Sequence, residues 1–254
     1  LGEPPIEADR GRPMDTQKIA RTAGILFLLT FITGIAGRLL FVSGLGGTWD
    51  SLNFIPGAGS DTAIYWGSLA EFGVIATNIA TAVVLYPILK RQSEIGAVGY
   101  LSARFVECAF ILVGLISLLS VVTVRHDLTG AAGAAAGTAL VGTYEWAFLF
   151  GPGLVAGLGN GLLLGWLMYR SGLVPRRMAV LGLIGGPALA VGFVCVLFGV
   201  IDTGSVGQGA ATAFEFVWEL SLGIYLTIKG FRPSPITRSV DLREETPVPS
   251  LATV

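Results

Sequence analysis

Three polar side chains lie deep within long apolar stretches of this 254-residue chain. Asn78, Asn160 and Glu219 each lie ten or twelve residues before a Lys or Arg that ends the stretch. A helical rise of about 1.5 Å per residue puts all three roughly 15–18 Å from that basic end. The shared depth predicts that three helices present two amides and one carboxyl to a single polar site. Such a site can bind a proton, a cation or a hydrogen-bonding solute.

A second set of charged residues is predicted nearer the opposite ends of these stretches. Arg38 lies about one turn from the end of its stretch, and Glu71 and Glu145 lie near the ends of theirs. Glu215 precedes Glu219 by one turn and shares its helical face. An Arg among carboxylates predicts a polar cluster that opens towards one side. The structural alternative is that Arg38 pairs with Glu71 or Glu215 and only holds helices together.

Arg104 and Glu107 form a third set, three residues apart on one predicted helix near its basic end. Charges at this spacing can pair locally. Glu219 has no predicted basic neighbour at its own depth, and a low dielectric favours the neutral form of an unpaired carboxyl. Glu219 is therefore expected either to hydrogen-bond structurally with Asn78 or Asn160, or to exchange a proton or bind a cation.

Most familiar catalytic chemistry is excluded by the residue counts. The chain has one histidine, His126, and two cysteines, Cys108 and Cys195, at different predicted depths. These exclude multi-histidine iron and haem ligation and a His-x-x-x-His zinc motif. No Gly-x-Ser-x-Gly elbow or phosphate-binding loop occurs in the sequence. We expect no catalytic residue, metal or cofactor, and a non-enzyme is favoured because any reaction would have to use Glu, Arg and Asn alone.

Six apolar stretches must position these residues. Hydrophobic residues make up 53% of the chain and charged residues 13%, whereas soluble domains usually carry about 25% charged residues. A spanning helix needs about 20 apolar residues. We therefore predict an all-α, polytopic membrane protein built as a bundle of six transmembrane helices. The predicted spans are Thr22–Val42, Ala63–Leu89, Phe105–Val124, Trp146–Met168, Met178–Ile201 and Ala210–Ile228.

The basic residues predict one orientation for this bundle. Fourteen of the 16 Lys and Arg residues fall on the same side of the spans. The positive-inside rule makes that side cytoplasmic, together with both termini. Orientation thus explains the basic residues without a nucleic-acid partner. The expected partner is the lipid bilayer, and the expected location is the cell membrane, as a multi-pass protein of a bacterial inner or plasma membrane.

The composition divides the chain into three parts. Residues 1–17 are predicted as a disordered N-terminal extension, 18–232 as the transmembrane domain, and 233–254 as a disordered cytoplasmic tail, because both ends are polar and contain proline. The segment His126–Thr143 is predicted as a long connection on the opposite side. Its Gly and Ala run, Gly130–Gly137, either extends the fourth helix or lies along the interface.

Small residues recur every four positions in the fourth span. Such a stripe lets a neighbouring helix backbone approach closely. It predicts a packing face that is used within the chain or, alternatively, against a second copy or another membrane protein. The stripe consists of Gly153, Gly157, Gly161 and Gly165.

Three segments resemble one family of multi-pass proteins. Asn followed by GLLLGWLMYRSGLVPRRMAVLGLIGG at 160–186, LSARFVECAF at 101–110 and RTAG at 21–24 resemble a bacterial family catalogued as domain of unknown function 4386. The resemblance covers roughly Lys18–Gly230. It implies a membrane protein and assigns no reaction and no catalytic residue.

Two functions fit these observations best, and an unusual integral-membrane enzyme is a third alternative. The first is a small carrier or ligand-binding protein with a polar pocket between the helices, linked to protons through Glu219. The second is a non-transporting accessory, assembly or sensor subunit, in which paired charges and the glycine stripe serve packing and association. A carrier is expected to contain an internal repeat or interrupted helices.

Overall fold

The computed structural model describes residues 15–49 and 52–237 of the chain. This part forms six helices, each long and apolar enough to cross a membrane, and contains no strand. The prediction of an all-α six-helix membrane protein is confirmed. The helices are α1 (Thr16–Leu45), α2 (Asp61–Leu89), α3 (Glu94–Asp127), α4 (Gly130–Ser171), α5 (Arg176–Leu197) and α6 (Val206–Ile228).

Short polar side chains fix where four of these helices begin. Asp15, Ser60, Ser93 and Ser205 precede α1, α2, α3 and α6, and each accepts a hydrogen bond from a backbone N–H of the first turn. These caps satisfy donors that have no partner inside the helix. Gly172 ends α4 with φ of 70°, a left-handed conformation that glycine adopts without steric cost.

The connection between α3 and α4 is much shorter than predicted. Only Leu128 and Thr129 separate the two helices, because the Gly130–Gly137 run is helical and begins α4. The prediction of a long connection at His126–Thr143 is therefore wrong, and the alternative of an extended fourth helix is right. Alanine has the highest helix propensity, and this run alternates it with glycines that leave room for neighbouring segments.

The first and last helices meet at one end of the bundle. The side chain of Gln17 donates to the carbonyl of Phe231 at 3.0 Å and accepts from its backbone N–H at 3.1 Å. We call this the terminal end, and we call the opposite end, which carries the connections α1–α2 and α5–α6, the loop end. Because the described residues form six helices that each cross the bundle, both ends of the described chain lie on the same side of the bundle.

Residues next to both predicted domain boundaries contact the helices. Thr16 and Gln17 already lie in α1. The segment after α6 packs on the α4–α5 connection, where the Ser234 hydroxyl donates to the carbonyl of Ser171 at 2.5 Å and Thr237 is buried. The division of the chain at 18 and 232 stays a prediction. The rest of the two predicted disordered segments, residues 1–14 and 238–254, lies outside the described residues.

The two halves of the bundle are packed differently. In the terminal half, buried side chains from all six helices form one core, including Phe27, Leu85, Tyr100, Leu167 and Trp218. In the loop half, the corresponding core consists of described residues from α1, α2, α3, α4 and the α1–α2 connection, and none of them belongs to α6. The bundle is consequently closed at the terminal end, and α6 stands apart from the α1–α4 core towards the loop end.

One ion-pair group ties α1, α2 and α3 together at the loop end. Arg125 contacts Asp61 at 2.9 Å and donates to the carbonyl of Gly44 at 2.7 Å. His126 lies 3.1 Å from the other carboxylate oxygen of Asp61. These contacts hold α1, α2 and α3 together at the loop end and involve neither α5 nor α6.

We predict that the loop end faces the exterior, because nearly all loop and end Lys and Arg residues belong to the terminal end. Single cysteines test this in a chain with Cys108 and Cys195 replaced by alanine. A membrane-impermeant thiol reagent added outside intact cells should label Asn53→Cys, and should label Gln92→Cys, in the α2–α3 connection, only after permeabilisation. The reverse labelling pattern would disprove the orientation.

Candidate functional site

Four helices contribute to one buried polar network in the middle of the bundle. The Asn78 amide of α2 donates to Glu107 of α3 at 3.0 Å. Arg104 donates to the second oxygen of Glu107 at 2.7 Å and lies 3.8 Å from Glu219 of α6. The Asn160 amide of α4 donates to the same Glu219 oxygen. We call these five residues the central cluster. The prediction that Asn78, Asn160 and Glu219 share one layer agrees with this geometry.

Arg104 changes the interpretation of Glu219. The sequence predicted no basic residue at the depth of Glu219, and it placed Arg104 and Glu107 in a separate pair nearer the terminal end. Arg104 and Glu107 do form the expected pair, at 2.7 Å, but this pair is not separate from Glu219. The Arg104 side chain is 3% exposed and also lies 3.8 Å from Glu219, so it is the basic neighbour that the sequence did not predict. Depth had been counted at the backbone, whereas an Arg side chain places its charge several ångströms away. The absence of a cation thus no longer supports proton exchange by Glu219.

Glu215 is one of the carboxyl groups for which the described residues provide no ion pair. Glu215 is 3% exposed, and both its carboxylate oxygens lack hydrogen-bond partners in the described part of the chain. Its side chain occupies space left by two glycines. A Cβ atom at Gly185 would lie 2.7 Å from a Glu215 carboxylate oxygen, and one at Gly161 would meet the same oxygen. The glycines of α4 and α5 therefore admit a carboxyl group between three helices.

A second polar group lies nearer the loop end. Arg38 of α1 contacts Glu145 of α4 at 3.2 Å and donates to the carbonyl of Trp49 at 2.9 Å. The expected pairing of Arg38 with Glu71 or Glu215 is therefore wrong, because the Arg38 side chain contacts Glu145 of α4 instead. Glu71 is buried beside Gly37, and among residues 15–49 and 52–237 it forms no ion pair or hydrogen bond.

An open cavity of about 550 Å³ connects the two polar groups. Its deep end is lined by Asn78, Arg104, Glu107 and Glu219, and it extends to Gly204 in the α5–α6 connection at the loop end. All six helices contribute to its wall. On α6 the polar lining residues recur at helical spacing and form one stripe: Gln208, Thr212, Glu215 and Glu219.

Helix α4 departs from α-helical geometry beside this cavity. Residues Leu149–Val155 and Gly157–Leu164 are π-helical, with α-helical segments on either side. Pro152 lies in the first π-helical segment and Asn160 in the second. A π-helix has a wider turn, and short π-helical segments inside α-helices are frequent at functional sites. The wider turns here coincide with the level of the cavity and the central cluster.

The glycine stripe of α4 packs within the chain at three of its four positions. A Cβ atom at Gly157 would lie 2.9 Å from the carbonyl oxygen of Gly186 in α5, and one at Gly165 would lie 3.2 Å from the amide nitrogen of Leu183. Gly161 packs against α5 in the same way. Gly153 has no close neighbour and lines the cavity instead, so its assignment to the packing face is wrong.

Sequence reasoning did not identify several residues of this site. The Trp218 indole donates to the backbone carbonyl of Asn160 at 3.1 Å and is fully buried. The Tyr100 hydroxyl accepts from Arg104 at 3.4 Å. The spacing of four, three and four residues between Gln208, Thr212, Glu215 and Glu219 can be read from the sequence. Only Glu215 and Glu219 are predicted as site residues, because they carry charge.

The family comparison agrees with the resemblance noted from the sequence. The family model described as Domain of unknown function (DUF4386) matches residues 22–230, which contain the central cluster and all residues of the glycine stripe. No curated protein and no solved structure matches the chain.

We predict that Gly161→Ala destabilises the protein. The new methyl group would enter the space of the Glu215 carboxyl and would lie 2.6 Å from Cα of Gly186, and overpacking of this kind typically costs about 1–3 kcal/mol. Gly142→Ala is the matched control in α4, because no atom lies within 4 Å of its Cβ position and alanine favours the helix. Thermal unfolding in detergent measures both. Equal midpoints would show that the α4–α5 contact tolerates a side chain.

We also predict that Arg104→Met lowers the free energy of unfolding by about 3–5 kcal/mol, because it leaves the buried Glu107 and the half-buried Glu219 without their shared cation. Glu107→Gln in the same chain should recover part of this loss, since glutamine removes one charge and still accepts from Asn78. Chemical unfolding in mixed micelles gives both values. A double variant that is less stable than Arg104→Met would contradict this account.

Proposed function

We propose that this chain, which belongs to the DUF4386 family, is a small carrier or ligand-binding protein whose solute occupies the cavity between the two polar groups. The observation that carries the proposal is the open cavity of about 550 Å³, which is lined by apolar side chains and by polar residues of both groups. Ligand cavities of proteins usually measure about 300–1,000 Å³ and combine apolar walls with a few polar groups.

The proposed binding residues belong to both polar groups. In the central cluster, Asn78 and Glu219 offer an amide and a carboxyl at the deep end. Asn160 is fully buried and does not line the cavity, and it holds Glu219 in place together with Arg104 and Glu107. Arg38, Glu71 and Glu145 line the path from the loop end. With the loop end outside, the solute reaches the site from the exterior.

The packing of the two halves supports a carrier that is open on one side. The terminal half is closed by a core from all six helices, whereas α6 is absent from the core of the loop half. Alternating access requires the closed half to separate while the open half closes. The π-helical turns of α4 lie between the halves, where a change of helix direction would move one half relative to the other.

We predict that Thr212→Cys, in a chain with Cys108 and Cys195 replaced by alanine, reacts with an impermeant thiol reagent from the loop end. Thr212 lines the cavity, and a thiol reacts as the thiolate, which forms in water and not in lipid. Phe214→Cys is the matched control at the same depth, because Phe214 lies on α6 outside the cavity lining and is exposed. Thr212→Cys should react at least about tenfold faster.

Ala82→Cys in the same cysteine-free chain separates a carrier from an accessory subunit. Ala82 is fully buried one turn below Asn78, in the core that closes the terminal half. A carrier should expose the introduced thiol to reagent from the terminal side during part of its cycle. If this thiol never reacts, and if Thr212→Cys reacts no faster than Phe214→Cys, the chain is a static subunit.

A further inference from the structure

The central cluster contains more acidic than basic side chains where it meets the cavity. Arg104 lies 2.7 Å from Glu107 and 3.8 Å from Glu219, and all three residues line the cavity. One guanidinium group thus faces two carboxyl groups, which leaves one excess negative charge when both are ionised. The Glu219 side chain is 21% exposed, so a solute in the cavity reaches it. Glu215 is left out of this count, because both its oxygens are fully enclosed.

The polar group near the loop end has the same composition. Arg38 contacts Glu145 at 3.2 Å, and the Glu145 side chain is 18% exposed. Glu71 lines the cavity and packs beside Gly37, the residue before Arg38, without an ion pair or hydrogen bond to the described residues. Its oxygens, although partnerless, are not among the fully enclosed atoms. This end of the cavity therefore also carries one excess negative charge when its two carboxyl groups are ionised.

The two polar groups lie at opposite ends of an apolar stretch of the cavity. Glu71 of one group and Asn78 of the other are seven positions apart on α2, which corresponds to about 10 Å along the helix. At intermediate heights the wall is formed by Val74 of α2, Ile111 of α3 and Phe148 of α4. A solute that contacts both groups is consequently long, with polar ends and an apolar middle.

A metal ion does not fit this arrangement. A protein-bound metal needs several ligands around one point, and the described residues contain no group of three or more His, Cys, Asp or Glu side chains that could hold one. Burying an ionised carboxylate without a partner is costly, and each end of the cavity presents this cost separately. Two positive charges about 10 Å apart offset both.

We propose that the solute of this cavity is a linear dication, an aliphatic diamine with one ammonium group at each end. One ammonium group lies beside Glu219, and the other lies beside Glu71 and Glu145. Each ammonium has three N–H donors and no acceptor, which suits carboxylate oxygens, and the methylene chain contacts the apolar wall between the groups. The inference rests on the proposed function, because it assigns a chemical class to the ligand of the same cavity.

Probes that differ in charge and length test this inference. Heptamethylenediamine has nitrogen atoms about 10 Å apart when extended, heptylamine has the same length and one charge, and heptanedioate has two negative charges. Binding is measured by calorimetry on the full chain in nanodiscs, with empty nanodiscs as the reference for partition into lipid. The diamine should bind saturably and the dicarboxylate should not. Heptylamine should bind at least about tenfold more weakly than the diamine, because one group of carboxylates stays unpaired. Tetramethylenediamine, which is too short to reach both groups, should be weaker by a similar factor.

Glu71→Gln tests the position of the second ammonium group. The substitution removes the excess charge near the loop end and leaves the central cluster intact, so the diamine should lose its advantage and bind like heptylamine. Glu94→Gln is the control, since Glu94 is exposed at the start of α3 and should preserve the difference between the two amines. Thermal unfolding of both variants confirms that a change in binding does not reflect a loss of fold.

The outcomes separate this inference from the proposed function. The inference is overturned if the folded chain does not bind the diamine saturably, or if heptylamine, heptanedioate or tetramethylenediamine binds equally well. It is also overturned if folded Glu71→Gln keeps the advantage of the diamine. The reactivity of Thr212→Cys then decides the proposed function. A rate above that of Phe214→Cys retains the cavity as the site of a different solute, and equal rates reject both proposals.

Discussion

Charges inside an apolar bundle must find their partners within it, and in this protein Arg104 meets that requirement for carboxylates of two helices at once. Its guanidinium joins Glu107 of its own helix to Glu219 of α6, while Asn78 and Asn160 complete the same network from α2 and α4. In a low dielectric such a network is satisfied only in one relative arrangement of the helices. The terminal half packs tightly below this level and the cavity begins above it.

The glycines and the buried carboxyl groups of this chain depend on each other. A stripe of small residues ordinarily lets two helix backbones approach, and Gly157 and Gly165 do this between α4 and α5. Gly161 and Gly185 additionally leave the volume that the Glu215 carboxyl occupies, and Gly37 does the same for Glu71. The apolar, glycine-rich composition therefore determines both how closely the helices pack and where acidic groups can be buried.

The sequence predicted the helices well and their pairings poorly, for physical reasons. Span length and hydrophobicity are local properties, so all six helices were found, and counting residues from basic ends correctly placed Asn78, Asn160 and Glu219 in one layer. Which side chains meet depends on helix rotation and on the reach of long side chains. Arg38 was accordingly assigned the wrong partner, and Arg104 was assigned the wrong layer. The start of α4 is left between two alternatives by the sequence, because a Gly and Ala run has no charge or periodicity to distinguish helix from connection.

The buried acidic groups of this protein differ in how the surrounding helices accommodate them. The ion pairs of Arg38 and Arg104 can be explained as fasteners between helices, because each satisfies both of its members. Glu215 has no such partner in the described chain, and its burial without one opposes folding. Gly161 and Gly185 remove the steric part of this cost, because they leave the space that the carboxyl group occupies between α4, α5 and α6. The position of Glu215 therefore depends on glycine at both sites, since a Cβ atom at either would lie within 2.7 Å of a carboxylate oxygen.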